Sequence, residues 1–269
     1  MSLKILSLLK SKEYNDDDCS KLLSHTKEQE AICILFKIKE YFPNIIKLEE
    51  NTYRIECSTE YKSTDFTIIN NSIKLLYLYK CEVNSGTEIL LKIKKMAIEL
   101  NITYIDLTDA SIIEIDDCIN ICSYSFATYY ILLYGISWYN KYGFVSTTHH
   151  EDKTYNNKIR KLPFNKFIEQ AINKYDIELL EIYKYKKKKL TKYNFKSSKN
   201  IIRKIEKYFP EICIESPTND IIKIIDSYLK KNNNNLECNN PKIKIILELI
   251  ELAEYMLQYN SILKWNNPN

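Results

Sequence analysis

The stretch SGTEILLKIKKMAIELNITYIDL, residues 85–107, carries two periodicities in succession. From Gly86 to Leu100, the residues Ile89, Leu90, Ile93, Met96 and Ala97 recur at helical spacing and share one face. The following ITYIDLTD (102–109) reads as a strand. Upstream, TYRIECS, DFTIIN and SIKLLYLYKCEV, between residues 52 and 83, are enriched in β-branched and aromatic residues and read as three more strands. Asn70-Asn71 supplies a turn before the third. The order is therefore an antiparallel meander followed by strand, helix and strand. A strand–helix–strand crossover requires at least one parallel pair, so the expected class is α/β in the α+β sense, with a mixed sheet.

Outward from this centre, residues 1–50 read as a helical N-terminal cap. Thr26 and Gln29 form a capping-box pattern ahead of AICILFKIKEYF, which Pro43 stops, and residues 3–10 suggest a shorter helix. Beyond an undecided segment at 110–122, FATYYILLYGISWYNKY reads as a buried helix, or as a strand running into a helix because apolar runs are ambiguous by period, and FVSTT (144–148) as a short strand. The polar run STTHHEDKTYNNK (146–158) reads as a linker or exposed loop, so the central domain is expected at 51–150 and a helical, basic region at 151–269. Helices are expected there at 163–174, 177–190, 198–209, 219–231 and 242–264. Charge changes sign at the same boundary: residues 1–150 hold 16 Lys/Arg against 20 Asp/Glu, and residues 151–269 hold 23 against 15.

Composition narrows the class further. Asn, Lys, Ile and Tyr abound, with 22 Tyr but only 3 Gly. That skew follows A/T-rich codons and suggests a large DNA virus or a protist as the source. Surviving glycines then become informative, because glycine serves where φ is positive or a backbone must approach closely. Elsewhere turns must rely on Asn, Asp and Ser. The 8 Cys form no CxxC pair and suit reduced thiols in a cytoplasmic setting, in host cytoplasm or a virion if the source is viral. The N-terminal apolar run is too short for a secretory segment, and no run approaches the length of a membrane span.

The segment 85–107 together with SWYNKYGF (137–144) resembles the GNAT superfamily of N-acetyltransferases. Gly86, Thr87, Ile89 and Leu90 match the last glycine of that family's cofactor loop and the start of its helix. Tyr139, Gly143 and Phe144 match its Tyr-x-x-x-Gly-Phe signature. The resemblance spans residues 52–148 and implies a GNAT-like mixed sheet. It also implies acetyl-CoA held by Val83, Asn84, Ser85, Gly86, Thr87 and Glu88, with an amine acceptor and no metal. Helix N-termini bind pyrophosphate through free amides and the helix dipole. The resemblance further implies that Tyr139 is the acid for the departing thiolate. The sequence departs from the family at Cys81, where Gln or Arg is usual, and at Asn84, where Gly is usual. The spacing from Leu107 to Tyr139 requires an insertion around 110–126.

Two classes follow. One is an acyl-CoA-dependent N-acetyltransferase-like protein, with Glu82, Asp106 or Asp109 as candidate bases. The other is a non-catalytic scaffold or nucleic-acid-binding protein. Lys184–Lys207 contains eleven Lys/Arg and one acid, Glu206, interleaved with Tyr185, Tyr193 and Phe195. Lys186, Lys187, Lys188, Lys189, Lys192, Arg203 and Lys204 are its candidate phosphate contacts. His149 and His150 point apart if extended. Cys118 and Cys122, spaced i, i+4, could meet on a helix and with a His pair hold zinc; buried thiols are the plainer reading.

Overall fold

The computed structural model describes residues 27–48, 51–56, 63–78, 85–116, 121–186, 197–232 and 236–268. In chain order these form α1 (Lys27–Tyr41), β1 (Ile45–Lys47), β2 (Thr52–Glu56), β3 (Ser63–Ile69), β4 (Ser72–Tyr77) and α2 (Gly86–Glu99). There follow β5 (Tyr104–Thr108), β6 (Ile112–Asp116), β7 (Ile121–Ser125), α3 (Phe126–Tyr134) and a 3-10 turn at Tyr139–Tyr142. The chain continues as α4 (His149–Arg160), α5 (Phe164–Lys186), α6 (Ser198–Tyr208), α7 (Thr218–Lys231), α8 (Pro241–Glu254) and β8 (Ile262–Asn266). The class is α+β, with a six-stranded mixed sheet and eight α-helices among the described residues. Two compact units divide the chain: residues up to Leu107 with Lys264–Asn269, and Thr108–Leu263.

The sheet of the first unit has the order β1-β2-β3-β4-β5-β8. Strands β1 to β4 pair antiparallel, and β4 pairs parallel with β5 from Ser72↔Tyr104 to Leu75↔Leu107. Alternation fixes which face is covered: Tyr53, Ile55, Phe66, Ile68, Ile73, Leu75, Ile105 and Leu107 are buried. On the partly exposed face, Arg54 opposes Asp65 across β2 and β3 in a two-pronged ion pair at 3.0 and 2.7 Å. Helix α2 contributes Ile89, Leu90, Ile93, Met96 and Ala97, all fully buried, each side chain larger than alanine adding about 1.5–3 kcal/mol over exposure.

Asparagine does the work that glycine does in other chains. Asn70 and Asn71, at φ 46° and 64°, make the two-residue turn that closes the β3–β4 hairpin at Ile69↔Ser72. Asn101 (φ 52°) ends α2: its amide donates to the Ile98 carbonyl at 3.1 Å, and the Ile102 amide donates to that of Ala97 at 2.8 Å. This is a Schellman stop, with buried Ile102 as its apolar contact.

The second unit is helical around a β6–β7 hairpin. Phe164, Phe167, Ile168, Ile205, Phe209, Ile222, Ile246 and Leu249 lie in one core cluster. Several expectations are corrected here. Residues 146–158 do not form a loop: from His149 they are α4, a polar helix held by Ile159 and by Asn156, whose amide pairs with the Gln258 backbone at 2.7 and 2.9 Å. The strand expected at 144–148 is reduced to a single bridge residue, Val145. The undecided segment is the β6–β7 hairpin. Helices expected at 163–174 and 177–190 are one helix as far as Lys186. The helix expected at 242–264 stops at Glu254, and ILKWN is a strand whose burial alternates, with Leu263 and Trp265 inside. That error came from reading period 2 as period 3.6 in a short apolar run. The reading of all cysteines as thiols fails at Cys122 and Cys238, which form a disulfide with Cα atoms 5.8 Å apart. They are 116 residues apart, and packing of β7 against α8, not spacing, brings them together. The capping box at Thr26 and the helix at 3–10 lie outside the described residues.

Candidate functional site

The loop that the GNAT resemblance assigns to acetyl-CoA begins outside the described residues, which exclude Cys81, Glu82, Val83 and Asn84. From Ser85 on the geometry is clear. Ser85 caps α2, and its hydroxyl accepts from the Glu88 amide at 3.2 Å. The Glu88 carboxylate reaches back to accept from the Ser85 amide at 2.6 Å and the Ser85 hydroxyl at 2.9 Å. These bonds hold the Glu88 carboxyl below its usual range. A negative charge therefore already sits at the positive end of the helix. Gly86 has no positive φ, and a Cβ there would meet nothing within 4 Å, so local geometry does not require glycine.

The left-handed glycines are Gly135 and Gly143, at φ 80° and 85°. Gly143 closes the 3-10 turn that carries Tyr139. Asn140 ties this turn together, accepting from the Ser137 amide at 2.8 Å and donating to the Phe144 carbonyl at 2.7 Å. Tyr139 is buried, edge-on to Trp138 and Phe144. Burial, with Asp109 adding repulsion, pushes its phenol up to about 12. Asp109 is buried and fully engaged. It accepts from the Ser111 hydroxyl at 2.5 Å and amide at 3.2 Å, and from the Tyr259 hydroxyl. Asp106 lies on the half-exposed face of β5. Gly86 belongs to the first unit and Tyr139 to the second.

Among the described residues, the remaining candidates fall on α4, β7, α5 and α6. His149 and His150 open α4, burial lowering the His149 pKa. No group of three or more His, Cys, Asp or Glu could hold a metal among the described residues. Cys122 is on a strand and disulfide-bonded, which removes it from the helical zinc pair considered with Cys118. Of the basic candidates, Lys187, Lys188, Lys189 and Lys192 lie outside the described residues, and Lys186 ends α5. On α6, Lys199, Arg203 and Lys207 are exposed, and Lys204 pairs with Glu248 at 3.1 Å.

One site was not anticipated. A cavity of about 550 Å³ opens in the second unit between the β6–β7 hairpin, α3 and α7. That volume falls in the range of small-molecule sites. Tyr124, Phe126, Tyr129, Tyr130 and Tyr134 line it, with Asp226 and Lys230 from α7 and Glu114 from β6. Tyr129 donates to Asp226 at 2.6 Å, and Lys230 pairs with the other oxygen of Asp226 at 2.7 Å. Tyr130 and Tyr134 lie one turn apart, ring centroids 4.4 Å from each other and planes tilted by 43°. Burial and the neighbouring Asp226 push the Tyr124 phenol up to about 12 and raise that of Tyr129 further. Both therefore stay protonated at neutral pH. The signals in sequence were the i,i+4 pairs Tyr130/Tyr134 and Asp226/Lys230, each common on helices and uninformative until the elements meet. A second cavity, near Ser137 and Tyr259, has about 10 Å³, room for no more than a water.

No protein-family model, curated protein or solved structure matches the chain. Fold and site define its class as an α+β protein with a tyrosine-lined cavity in its helical unit. Among the described residues, no helix is long and apolar enough to cross a membrane.

Proposed function

We propose that the chain is a ligand-binding protein on a GNAT-like sheet, without acetyltransferase activity, its ligand taken by the tyrosine-lined cavity. The GNAT-like reading is supported by the meander β1–β4 followed by α2 and a parallel β5. Loss of activity is carried by the reciprocal cap between Ser85 and Glu88. Acetyl-CoA would need its pyrophosphate where the Glu88 carboxylate already accepts from the Ser85 amide. The phosphate would meet a like charge and lose donors. Calorimetric titration tests this: the wild type should show no saturable heat with millimolar acetyl-CoA. Saturable binding, with transfer to an amine acceptor, would restore the acetyltransferase reading, with Gly86 as contact and Tyr139 as acid.

A second reading, nucleic-acid contact through the basic helices, is favoured by the exposed Lys199, Arg203 and Lys207 on α6. Such binding would weaken steeply with added salt as counterions are released. Failure of filter binding at low salt would remove it.

A further inference from the structure

If the cavity is the binding site proposed above, its chemistry selects the occupant. Its charged wall consists of Glu114, Asp226 and Lys230 beside the tyrosines, a formal charge of one negative. Aromatic faces carry the negative end of a quadrupole and attract cations. The cavity already contains one example of the contact it favours. The Lys230 ammonium lies on Asp226 from the solvent side, its side chain 70% exposed against 16% for Asp226. Glu114 is exposed at the rim and makes no ion pair among the described residues. The rest of the wall includes Ile115, Leu229 and Leu236, an apolar surface suited to a hydrocarbon body. An anion would face two carboxylates and the electron-rich ring faces.

We propose that this cavity binds an amphiphilic organic monocation. Its ammonium is held by Asp226 and Glu114 among the tyrosine faces, and its apolar body lies against the isoleucine and leucine wall. Lys230 is then a competitor for the carboxylate, not a ligand contact. This gives the proposal an unusual sign: Lys230→Met should tighten cation binding.

The test is calorimetry on the full chain with three probes of similar size: benzyltrimethylammonium, benzyl alcohol and phenylacetate. The cation should bind at least several-fold more tightly than the other two. Glu114→Gln and Tyr134→Leu, both at exposed positions, should each weaken it roughly two- to fivefold. Asp226→Asn should weaken it by about tenfold or more. Equal or tighter binding of phenylacetate or benzyl alcohol would overturn the cation assignment while leaving the cavity a binding site. So would weaker cation binding in Lys230→Met. Absence of binding by all three at millimolar concentration would overturn both readings.

Discussion

Tyr129 on α3 donates its hydroxyl to Asp226 on α7 at 2.6 Å, across 97 residues of chain. This bond joins the two helices that wall the cavity and leaves Asp226 between a phenol and an ammonium. Tyr129→Phe removes the donor and little volume. It should destabilise the protein by about 1.5–3 kcal/mol, the range for a hydrogen bond to a charged group. A lower urea midpoint at unchanged slope is the expected result. An unchanged midpoint would mean that water replaces the phenol at no cost.

Gly135 ends α3 in the left-handed region at φ 80°. A Cβ there would collide with the Asn157 side-chain oxygen and lie 2.8 Å from Arg160 Nη1. Arg160 in turn donates from Nε to the Leu132 carbonyl at 2.8 Å and from Nη2 to that of Leu133. Gly135→Ala therefore strains the backbone and displaces this cap, and should cost about 1–3 kcal/mol. Thermal unfolding should show it as a lower Tm, whereas Gly86→Ala, with open space and no positive φ, should be close to neutral.

Asp65 is held below its usual pKa, chiefly by hydrogen bonds from Arg54, helped by Ser63 and opposed by burial. Its ionised form is favoured in the folded state. The stabilisation is therefore full above the ordinary aspartate range and is lost as pH falls through that range to the lower folded value. Asp65→Asn should be less stable than the wild type at neutral pH, and the gap should close on acidification. A gap that stays constant as pH is lowered would show that the pair contributes through packing alone. Because Arg54 is partly exposed, added salt should shrink the gap as well.

The Cys122–Cys238 bridge closes a loop of more than a hundred residues. Loop-closure entropy and measured cases place the loss on opening such a bridge at about 2–5 kcal/mol. The double variant Cys122→Ser with Cys238→Ser should unfold at lower denaturant than the oxidised wild type. Under strong reductant the two proteins should become nearly equal. Tyr124 and Leu236 each stand two residues from a bridging cysteine and line the cavity, so reduction should also weaken ligand binding.

The order of elements around residues 52–109 was written in the chain because it rests on local interactions. The apolar stripe Ile89, Leu90, Ile93, Met96 and Ala97 allows little but a helix packed on one face. Asn70-Asn71 and Asn101 take the left-handed angles where a chain poor in glycine needs them. Periodicity failed where local preference is weak or contrary. α4 is a polar helix held by Asn156 reaching Gln258, a partner 102 residues away. β8 is an alternating pentapeptide too short to separate from the end of a helix. The site was less legible still. Ser85 and Glu88 were read as anion contacts, but their side chains satisfy each other, a choice between two partners that residue types alone do not make. Tyr124 and Tyr129 are near neighbours in the chain, whereas Asp226 and Leu236 lie about a hundred residues further on, and only tertiary packing of the hairpin against α3 and α7 makes them one surface. Local sequence determined the elements around residues 52–109 because hydrogen bonds and apolar stripes act over a few residues. The cavity, the disulfide and the Tyr129–Asp226 bond were decided by the fold, because each needs partners a hundred residues apart to meet within a few ångströms.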